Sequence, residues 1–414
     1  MAFSSSNRVV VTGMGVVSPC GIGLDAYWDA LINCKSGIKP ISLFDTAEFS
    51  VKTAGEVSNF DLKDFFGRDC KPNRLARQTQ LGLVACKMAL EHAGISLKLL
   101  ECNEPVPVVM GVCCSAIDIT EKAKEIMMTK GVDRVRPFMV GSSQPHAVSA
   151  ALSHFFGVQT SVCTLSSACP SGLDSIENAA DMIREGKADF VIAGAADSPL
   201  NAASLASFIA AGIPPVNMGV PPEKESCPFD CRSAGGPMAE GAGFVVLERL
   251  DTALSRGATT YIEILGGATL SDPPGSEPLS GLIDTMQLAL KNAGVHPNQL
   301  DYICANAISH AQMDVSEVRQ IKKLLGAHAY QIPISSIKGV TGNPLAATGL
   351  FQVIACALAV RDNIIPPTAN LERCADGCDL DFVPQKARYG SVDVMMANMH
   401  GMGGENSSLI MKRA

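Results

Sequence analysis

The chain has no long hydrophobic run, few aromatic residues and more acidic than basic groups over its 414 residues. A membrane-spanning helix needs about 18 or more apolar residues in succession, so no membrane span is expected. The formal net charge is -8, and aromatic residues make up only 5% of the chain. Nucleic acid is therefore not expected as a partner, because phosphates attract basic groups and bases stack on aromatic rings.

The sequence also has no recognisable secretion signal before its first predicted strand, and its fifteen cysteines are scattered. This pattern favours free thiols in a reducing cytoplasm over a disulfide framework. Two Cys-x3-Cys pairs are present, Cys227/Cys231 and Cys374/Cys378. No matching histidine pair lies near them, so we expect neither a metal site nor a cofactor.

What is present is an apolar chain in which strand-like and helix-like segments alternate. Hydrophobic residues make up 47% of it and the mean hydropathy is +0.20, so a large core or a subunit interface is expected. An apolar, β-branched run at residues 8–12 predicts a strand that ends at Gly13, and an apolar stripe at residues 77–93 predicts a helix. The alternation predicts an α/β fold with helices on both faces of the sheet.

The two halves of the sequence contain similar segments in similar positions. Residues 91–95, Glu-His-Ala-Gly-Ile, close a predicted helix before a strand near residue 107. Residues 291–295, Lys-Asn-Ala-Gly-Val, do the same before a strand near residue 302. An internal duplication is predicted, although glycine is also the common stop of unrelated helices. We expect one unit over residues 1–255 and a second over residues 256–414.

Cys169 is the strongest candidate for a reactive group. It lies in Thr-Leu-Ser-Ser-Ala-Cys-Pro-Ser-Gly at residues 164–172, between a strand-like stretch at 158–165 and a helix-like stretch at 173–185. A cysteine at such a turn has little backbone crowding, and the positive end of the following helix stabilises a thiolate. The pattern predicts a nucleophile, the alternative being a buried packing cysteine.

Five segments in order along the chain resemble motifs of the β-ketoacyl synthases. The segment around Cys169 resembles that family's Ala-Cys-Ala-(Ser/Thr)-Gly turn. The other four are the opening strand at residues 9–19, Pro-Phe-Asp to Glu-Gly-Ala-Gly at 228–243, Ser-Ser-Ile-Lys to Ala-Ala-Thr-Gly at 335–349, and Asn-Met-His-Gly-Met-Gly-Gly-Glu-Asn at 398–406. The chain is therefore identified as a member of the elongating, type II-like branch.

The resemblance implies a thiolase-like fold with five α/β layers from two pseudo-symmetric halves. It also implies a homodimer or a heterodimer with a second ketosynthase-like subunit, and an acyl carrier protein as partner. The implied chemistry is Claisen condensation. The cysteine takes an acyl group from the carrier, and a malonyl carrier then loses CO2 and attacks that group.

This chain departs from the family at both expected active-site histidines. Ile308 falls where the first histidine should be, and His310 lies two residues further along. Asn343 replaces the second histidine, while the preceding Lys338 is kept. Because an asparagine amide can donate to a developing oxyanion, Cys169, His310 and Asn343 would resemble the Cys-His-Asn set of initiating ketoacyl synthases and of the chalcone-synthase group. The alternative for His310 is an exposed loop residue.

The glycine-rich loop near the end of the chain differs as well. Met402 replaces a phenylalanine of the family, and this more adaptable side chain implies a looser entrance. His400 replaces a second phenylalanine and is an acid/base candidate, the alternative being a hydrogen-bonded structural residue. The matched motifs also imply substrate-binding roles for Met402, Gly403, Phe229 and Thr341.

Three functions remain open at this stage. The first is an atypical ketosynthase of a specialised fatty-acid or type II polyketide pathway, which the retained Cys169 favours. A second is a partner subunit similar to a chain-length factor, which the loss of both histidines favours. The third is non-condensing acyl transfer or cyclisation on Cys169, with His310 or His400 as general base.

Overall fold

A computed structural model describes residues 7–96, 105–215 and 219–414. Its strands are β1 (Val9–Ser18), β2 (Gly21–Ile22), β3 (Ile38–Pro40), β4 (Thr53–Gly55), β5 (Val106–Gly111), β6 (Thr160–Leu165), β7 (Phe190–Asp197), β8 (Gly241–Arg249), β9 (Ile262–Ser271), β10 (Tyr302–Cys304), β11 (Ile334–Ser335), β12 (Ile364–Ile365), β13 (Arg388–Tyr389), β14 (Val394–His400) and β15 (Glu405–Arg413).

Its α-helices are α1 (Leu24–Ile32), α2 (Lys63–Phe66), α3 (Arg77–His92), α4 (Ile117–Lys130), α5 (Phe138–Ser142), α6 (Ala147–Phe156), α7 (Ser171–Arg184), α8 (Ala202–Ala210), α9 (Leu250–Ser255), α10 (Leu282–Ala293), α11 (Ala311–Leu325), α12 (Lys338–Thr341) and α13 (Ala347–Asp362). Short 3-10 turns occupy Pro72–Arg74, Val132–Arg134, Pro222–Lys224, Pro297–Gln299 and Gly326–Tyr330. Within the described ranges, no helix is long and apolar enough to cross a membrane.

One large sheet of eleven strands contains two half-sheets of five strands each, and the short strand β2 pairs with β1. The first runs in the order β1-β8-β7-β5-β6 and the second in the order β9-β15-β14-β10-β11. In each half-sheet the first two pairings are antiparallel and the last two are parallel. Among the described residues, the half-sheets are joined where β1 pairs with β9, through Val9 with Ile264 and Val10 with Glu263. The predicted pair of similar halves is confirmed, and the division between residues 255 and 256 stays a prediction.

Helices on both sides of each half-sheet give five layers. Helix α3 covers the first half-sheet and packs on α6, while α10 covers the second and packs on α11. Between the half-sheets lie α7 and α13, which contact each other and strands of both halves. Helix α13 is buried along nearly its whole length, as expected for a helix enclosed by two sheets. The predicted layering is therefore confirmed.

The prediction that the first strand ends at Gly13 is wrong. Strand β1 continues to Ser18, with a shift in its pairing with β8 between Val11 and Gly13. A Cβ atom at this glycine would lie 2.4 Å from the carbonyl oxygen of Ala89 on α3. The glycine therefore lets the helix approach the strand closely and does not stop the strand.

Candidate active site

Cys169 lies in the turn between β6 and α7, as predicted, and is 7% exposed. Ala168 before it adopts a left-handed backbone conformation with φ of +58°, which a residue with a side chain rarely takes. The turn is braced by Ser171, whose hydroxyl accepts from the Ser167 N–H and donates to the Ala168 carbonyl oxygen. The sulfur therefore sits near the N-terminal end of a 14-residue helix, which favours its thiolate form.

Cys169, Asn343 and His400 line one narrow cavity together with Asn306. The remaining lining is mainly apolar and comprises Phe208, Ile213, Ile308, Met313, Leu345, Gly401 and Met402. Gly401 lets the β14–β15 hairpin approach the Cys169 turn, because a Cβ there would lie 2.9 Å from the Cβ of Ala168. A thiol, an amide and an imidazole thus meet in a largely apolar space, which suits a hydrocarbon chain joined to a reactive carbonyl.

The Asn343 side chain is 6% exposed, and its Oδ1 has no hydrogen-bond partner among the described residues. Its backbone is fixed, since its N–H donates to the Pro237 carbonyl oxygen and its own carbonyl accepts from the Ala239 N–H. Buried amides are nearly always hydrogen-bonded in proteins. The side-chain oxygen of Asn343 is therefore free to accept a hydrogen bond from a ligand.

The orientation of His400 is set by Asn406. His400 Nδ1 lies 2.9 Å from Asn406 Oδ1, and the amide nitrogen of Asn406 donates to Asp272 Oδ1 at 2.8 Å. Since the Asn406 oxygen is the acceptor, His400 Nδ1 carries the proton and Nε2 is left with its lone pair. Burial lowers the pKa of His400, which keeps the ring neutral.

Lys338 is buried below the cavity, where its Nζ donates to Asn306 Oδ1 at 2.9 Å. The same oxygen accepts from the His400 N–H at 3.2 Å. Burial lowers the pKa of Lys338 to about 8. The carboxylate of Glu317 holds the Asn306 and Ala307 N–H groups at 2.9 and 2.8 Å and supplies a nearby negative charge.

The pKa of the Cys169 thiol is lowered, first by its hydrogen bond with Cys113, whose Sγ is 3.9 Å from the Cys169 Sγ. The positive charge of Lys338 lowers it further, while burial opposes both effects. Cys169 therefore ionises more readily than an ordinary cysteine.

The structure does not bring His310 to Cys169. The residue precedes α11 and lines a separate cavity with Glu277 and Arg319. Asp314 Oδ1 accepts from both the Ile308 and the His310 N–H, at 3.0 and 3.3 Å. In this loop Ile308 lines the cavity that contains Cys169, and His310 lines the cavity that contains Glu277 and Arg319.

Three predicted substrate-binding residues also lie outside this cavity. Phe229 is buried in the core and stacks on Phe382, with ring centroids 4.1 Å apart. The Thr341 hydroxyl donates to the Gly342 carbonyl oxygen, and Gly403 lies against the Glu405 carboxylate in the β14–β15 turn. Met402 does line the cavity and is 53% exposed, as expected for a residue at an entrance.

Asn306 and Cys113 were not predicted from the sequence to belong to the site. The asparagine belongs to the Asn-Ala pair before Ile308 and contacts both Lys338 and the His400 backbone. Cys113 comes two residues after β5, which is the parallel neighbour of β6. Because parallel neighbours end at the same edge of a sheet, a predicted strand order would have placed Cys113 near the Cys169 turn.

Within the part of the chain that the structure describes, no cluster of three or more His, Cys, Asp or Glu side chains could hold a metal ion. The fourteen cysteines in those ranges are free thiols. The cavity thus presents the thiol, amide and imidazole as its reactive groups.

Comparison with known proteins matches the chain to two family models. The model described as the N-terminal domain of β-ketoacyl synthase covers residues 6–253, and the model of the C-terminal domain covers residues 266–372. A 3-oxoacyl-(acyl-carrier-protein) synthase 2 of Coxiella burnetii is 36% identical over 416 residues, covering 98% of each chain.

Two solved structures are also similar over 99% of this chain and the whole of the other. One is a type II polyketide synthase acyl carrier protein in complex with its ketosynthase bound to the hexaketide, at 29% identity and a TM-score of 0.90. The other is the ishigamide ketosynthase/chain length factor, at 28% identity and a TM-score of 0.91. The chain therefore belongs to the β-ketoacyl synthase family of acyl-transferring condensing enzymes and has its thiolase-like fold.

Proposed function

We propose that this chain is an atypical ketosynthase of a specialised fatty-acid or type II polyketide pathway. Cys169 accepts an acyl group from an acyl carrier protein and passes it on by decarboxylative condensation with a malonyl carrier. The observation that carries the proposal is the meeting of Cys169, Asn343 and His400 in one buried, mainly apolar cavity. The carrier protein as partner is supported by similarity to the synthase of Coxiella burnetii, whose name includes it.

In the loading step His400 moves a proton. Its Nε2 accepts the proton of the Cys169 thiol, and the resulting thiolate attacks the thioester carbon of the incoming acyl group. The carrier thiolate leaves and takes the proton back from His400. The neutral ring with Nδ1 donating to Asn406 suits this role, because Nε2 is then a proton acceptor.

In the condensing step Asn343 binds the developing negative charge. The malonyl thioester loses CO2, and the electron pair of the broken carbon–carbon bond forms an enolate. The enolate carbon attacks the carbonyl carbon of the acyl group on Cys169. Cys169 then leaves as a thiolate, and the product is the β-ketoacyl carrier. The side-chain N–H2 of Asn343, a residue that lines the cavity, donates to the enolate oxygen, more weakly than a charged imidazole would.

A partner-subunit role, similar to that of a chain-length factor, is the second candidate. Strand β6 lies at the edge of the sheet, and Val162 and Cys163 on it are exposed. An exposed edge strand is suited to pairing with another chain, and the ishigamide ketosynthase/chain length factor is a close structural neighbour. Pairing through β6 with a second copy or with a second ketosynthase-like subunit would fit either function.

Non-condensing transfer is a third candidate, favoured by the His400 lone pair. The acyl group on Cys169 would pass to an amine or alcohol, from which His400 Nε2 accepts the proton. No malonyl carrier is consumed in this case. Release of CO2 therefore distinguishes it from condensation.

The test is intact-protein mass after incubation with an acyl carrier protein bearing an acyl group, with Cys169→Ala alongside. We expect one acyl adduct that is absent from Cys169→Ala and retained in Cys374→Ala, which removes an exposed thiol outside the cavity. Addition of a malonyl carrier should then release CO2 and remove the adduct. Absence of an adduct in the parent protein would contradict the proposal and favour the partner-subunit role.

A further inference from the structure

Cys113 is a second thiol at the candidate nucleophile. It follows β5, and its Sγ lies 3.9 Å from the Cys169 Sγ, within the contact distance of a sulfur hydrogen bond. Its backbone is fixed, because the N–H groups of Cys113 and Cys114 donate to the two carboxylate oxygens of Asp197 at 3.1 and 2.8 Å. The N–H of Ala346 donates to the same carboxylate at 3.0 Å. The backbone that carries the thiol is therefore tied through Asp197 to the segment that contains Ala346.

Two thiols in contact ionise one at a time, since two adjacent negative charges repel each other. The charged and titratable groups that act on Cys169 are Cys113, Lys338 and Asp197, and those that act on Cys113 are Cys114, Cys169 and Asp197. His400 lines the same cavity.

The surroundings decide which sulfur carries the charge. Lys338 and the N-terminal end of α7 favour a negative charge on Cys169. The pKa of Cys113 is raised, first through its hydrogen bond with Cys114 and then through that with Cys169. Cys113 therefore keeps its proton.

We propose that Cys113 is a positioning residue that donates its S–H to the Cys169 sulfur whenever that sulfur carries negative charge. The inference rests on the proposed nucleophilic role of Cys169. Such a charge exists twice in the cycle, before the acyl group is loaded and again when Cys169 leaves the condensed product. One donor therefore increases the share of thiolate available for attack and stabilises the same atom when it leaves.

The test is the pH dependence of Cys169 alkylation in the full-length, pre-reduced protein. Iodoacetamide is used at low conversion, and the Cys169 peptide is quantified by mass spectrometry. We expect Cys113→Ala to raise the measured pKa of Cys169 by about one unit, equivalent to about tenfold slower alkylation near neutral pH. Cys113→Ser should restore most of the rate because a hydroxyl also donates.

A control variant shows whether an effect on Cys169 is specific to Cys113. Cys70→Ala removes a half-buried thiol that does not line the cavity, and it should leave the Cys169 profile unchanged. An unchanged profile in Cys113→Ala, or equal shifts in Cys113→Ala and Cys113→Ser, would overturn the donor role. Loss of the acyl adduct from the parent protein would contradict the proposed function alone, because alkylation needs no acyl substrate.

Discussion

His400 and Asn406 form a pair in which the amide oxygen fixes the proton on the imidazole. Nδ1 of His400 lies 2.9 Å from Oδ1 of Asn406, and the Asn406 amide nitrogen is occupied by Asp272 and by the Gly404 carbonyl oxygen. The oxygen cannot exchange places with the nitrogen without losing these two bonds. Nε2 of His400 is consequently a lone-pair acceptor in the cavity that contains Cys169.

Replacement of His400 should slow the loading of Cys169. Leucine in its place keeps the apolar volume but accepts no proton, so we expect His400→Leu to reduce the single-turnover acylation rate by about 100-fold. The rate is measured by intact-protein mass over time. His154→Leu alters an exposed histidine and should acylate at the parental rate. Equal rates in His400→Leu and the parent would show that the ring has only a structural role.

Replacement of Asn343 should separate condensation from loading. Loss of the amide donor in Asn343→Ala removes stabilisation from the enolate, and we expect condensation to fall by about 100- to 1,000-fold. Acylation of Cys169 should change little, because the enolate forms only in the second step. Release of CO2 and acyl-adduct mass are measured in parallel, with the exposed Asn298→Ala as control. An equal loss in both steps would contradict the assigned role.

The sequence identified most of the groups that meet in the cavity but not the directions of their side chains. Cys169, Asn343 and the pair His400 and Met402 come from three separate motifs and line one space. His310 was placed there by its closeness to the lost histidine position. Its actual position depends on Asp314, whose carboxylate holds the loop from a following helix. Asp314 is itself held by the Phe229 N–H, 85 residues away in sequence, and no local pattern in the loop contains that tertiary contact.

Hydrophobic periodicity predicts where strands and helices occur more reliably than it predicts where they end. Gly13 looked like a strand stop, yet it lies inside β1 because α3 needs the space that a side chain would fill. Cys113 went unnoticed for a similar reason, since its meeting with Cys169 depends on the order of strands in the sheet. Both outcomes are set by packing between elements that lie far apart in sequence.

Removal of the buried Lys338 charge should destabilise the fold. In Lys338→Met, Asn306 Oδ1 loses one of its two donors and the buried carboxylate of Glu317 loses a nearby positive charge. We expect the free energy of unfolding to fall by about 3 kcal/mol, as when one partner of a buried pair is removed. Urea unfolding measures the change. Lys35→Met breaks an exposed pair with Asp29 and should cost less than about 1 kcal/mol, so similar losses in both variants would refute the argument.

Shortening of Met402 should widen the range of acyl groups that reach Cys169. Because this half-exposed side chain lines the cavity, Met402→Ala opens its mouth. We expect a bulky aromatic acyl thioester to load about tenfold faster while an acetyl thioester loads at the parental rate, since a methylene or two changes selectivity by this order. Met128→Ala alters an exposed methionine elsewhere and serves as control. Equal changes for both substrates would rule out a gating role for Met402.

The buried His400 should also leave a signature in the pH dependence of stability. Burial lowers its pKa in the folded protein, whereas the unfolded chain has the ordinary value of about 6.5. As pH falls below about 6.5, the unfolded chain binds a proton that the folded protein does not. Stability is therefore lost on acidification, by up to about 1.4 kcal/mol per pH unit until the folded pKa is reached.

His400→Gln cannot take up this proton, so its free energy of unfolding should fall less than that of the parent between pH 7.5 and pH 5. The two proteins are compared by urea unfolding at each pH. Burial also lowers the pKa of His92, but that residue is present in both proteins and cancels in the difference. The free energy of unfolding of the variant, minus that of the parent, should thus increase as the pH is lowered. Parallel curves would mean that His400 keeps its ordinary pKa in the folded protein, and the neutral imidazole on which the loading step depends would lose its support.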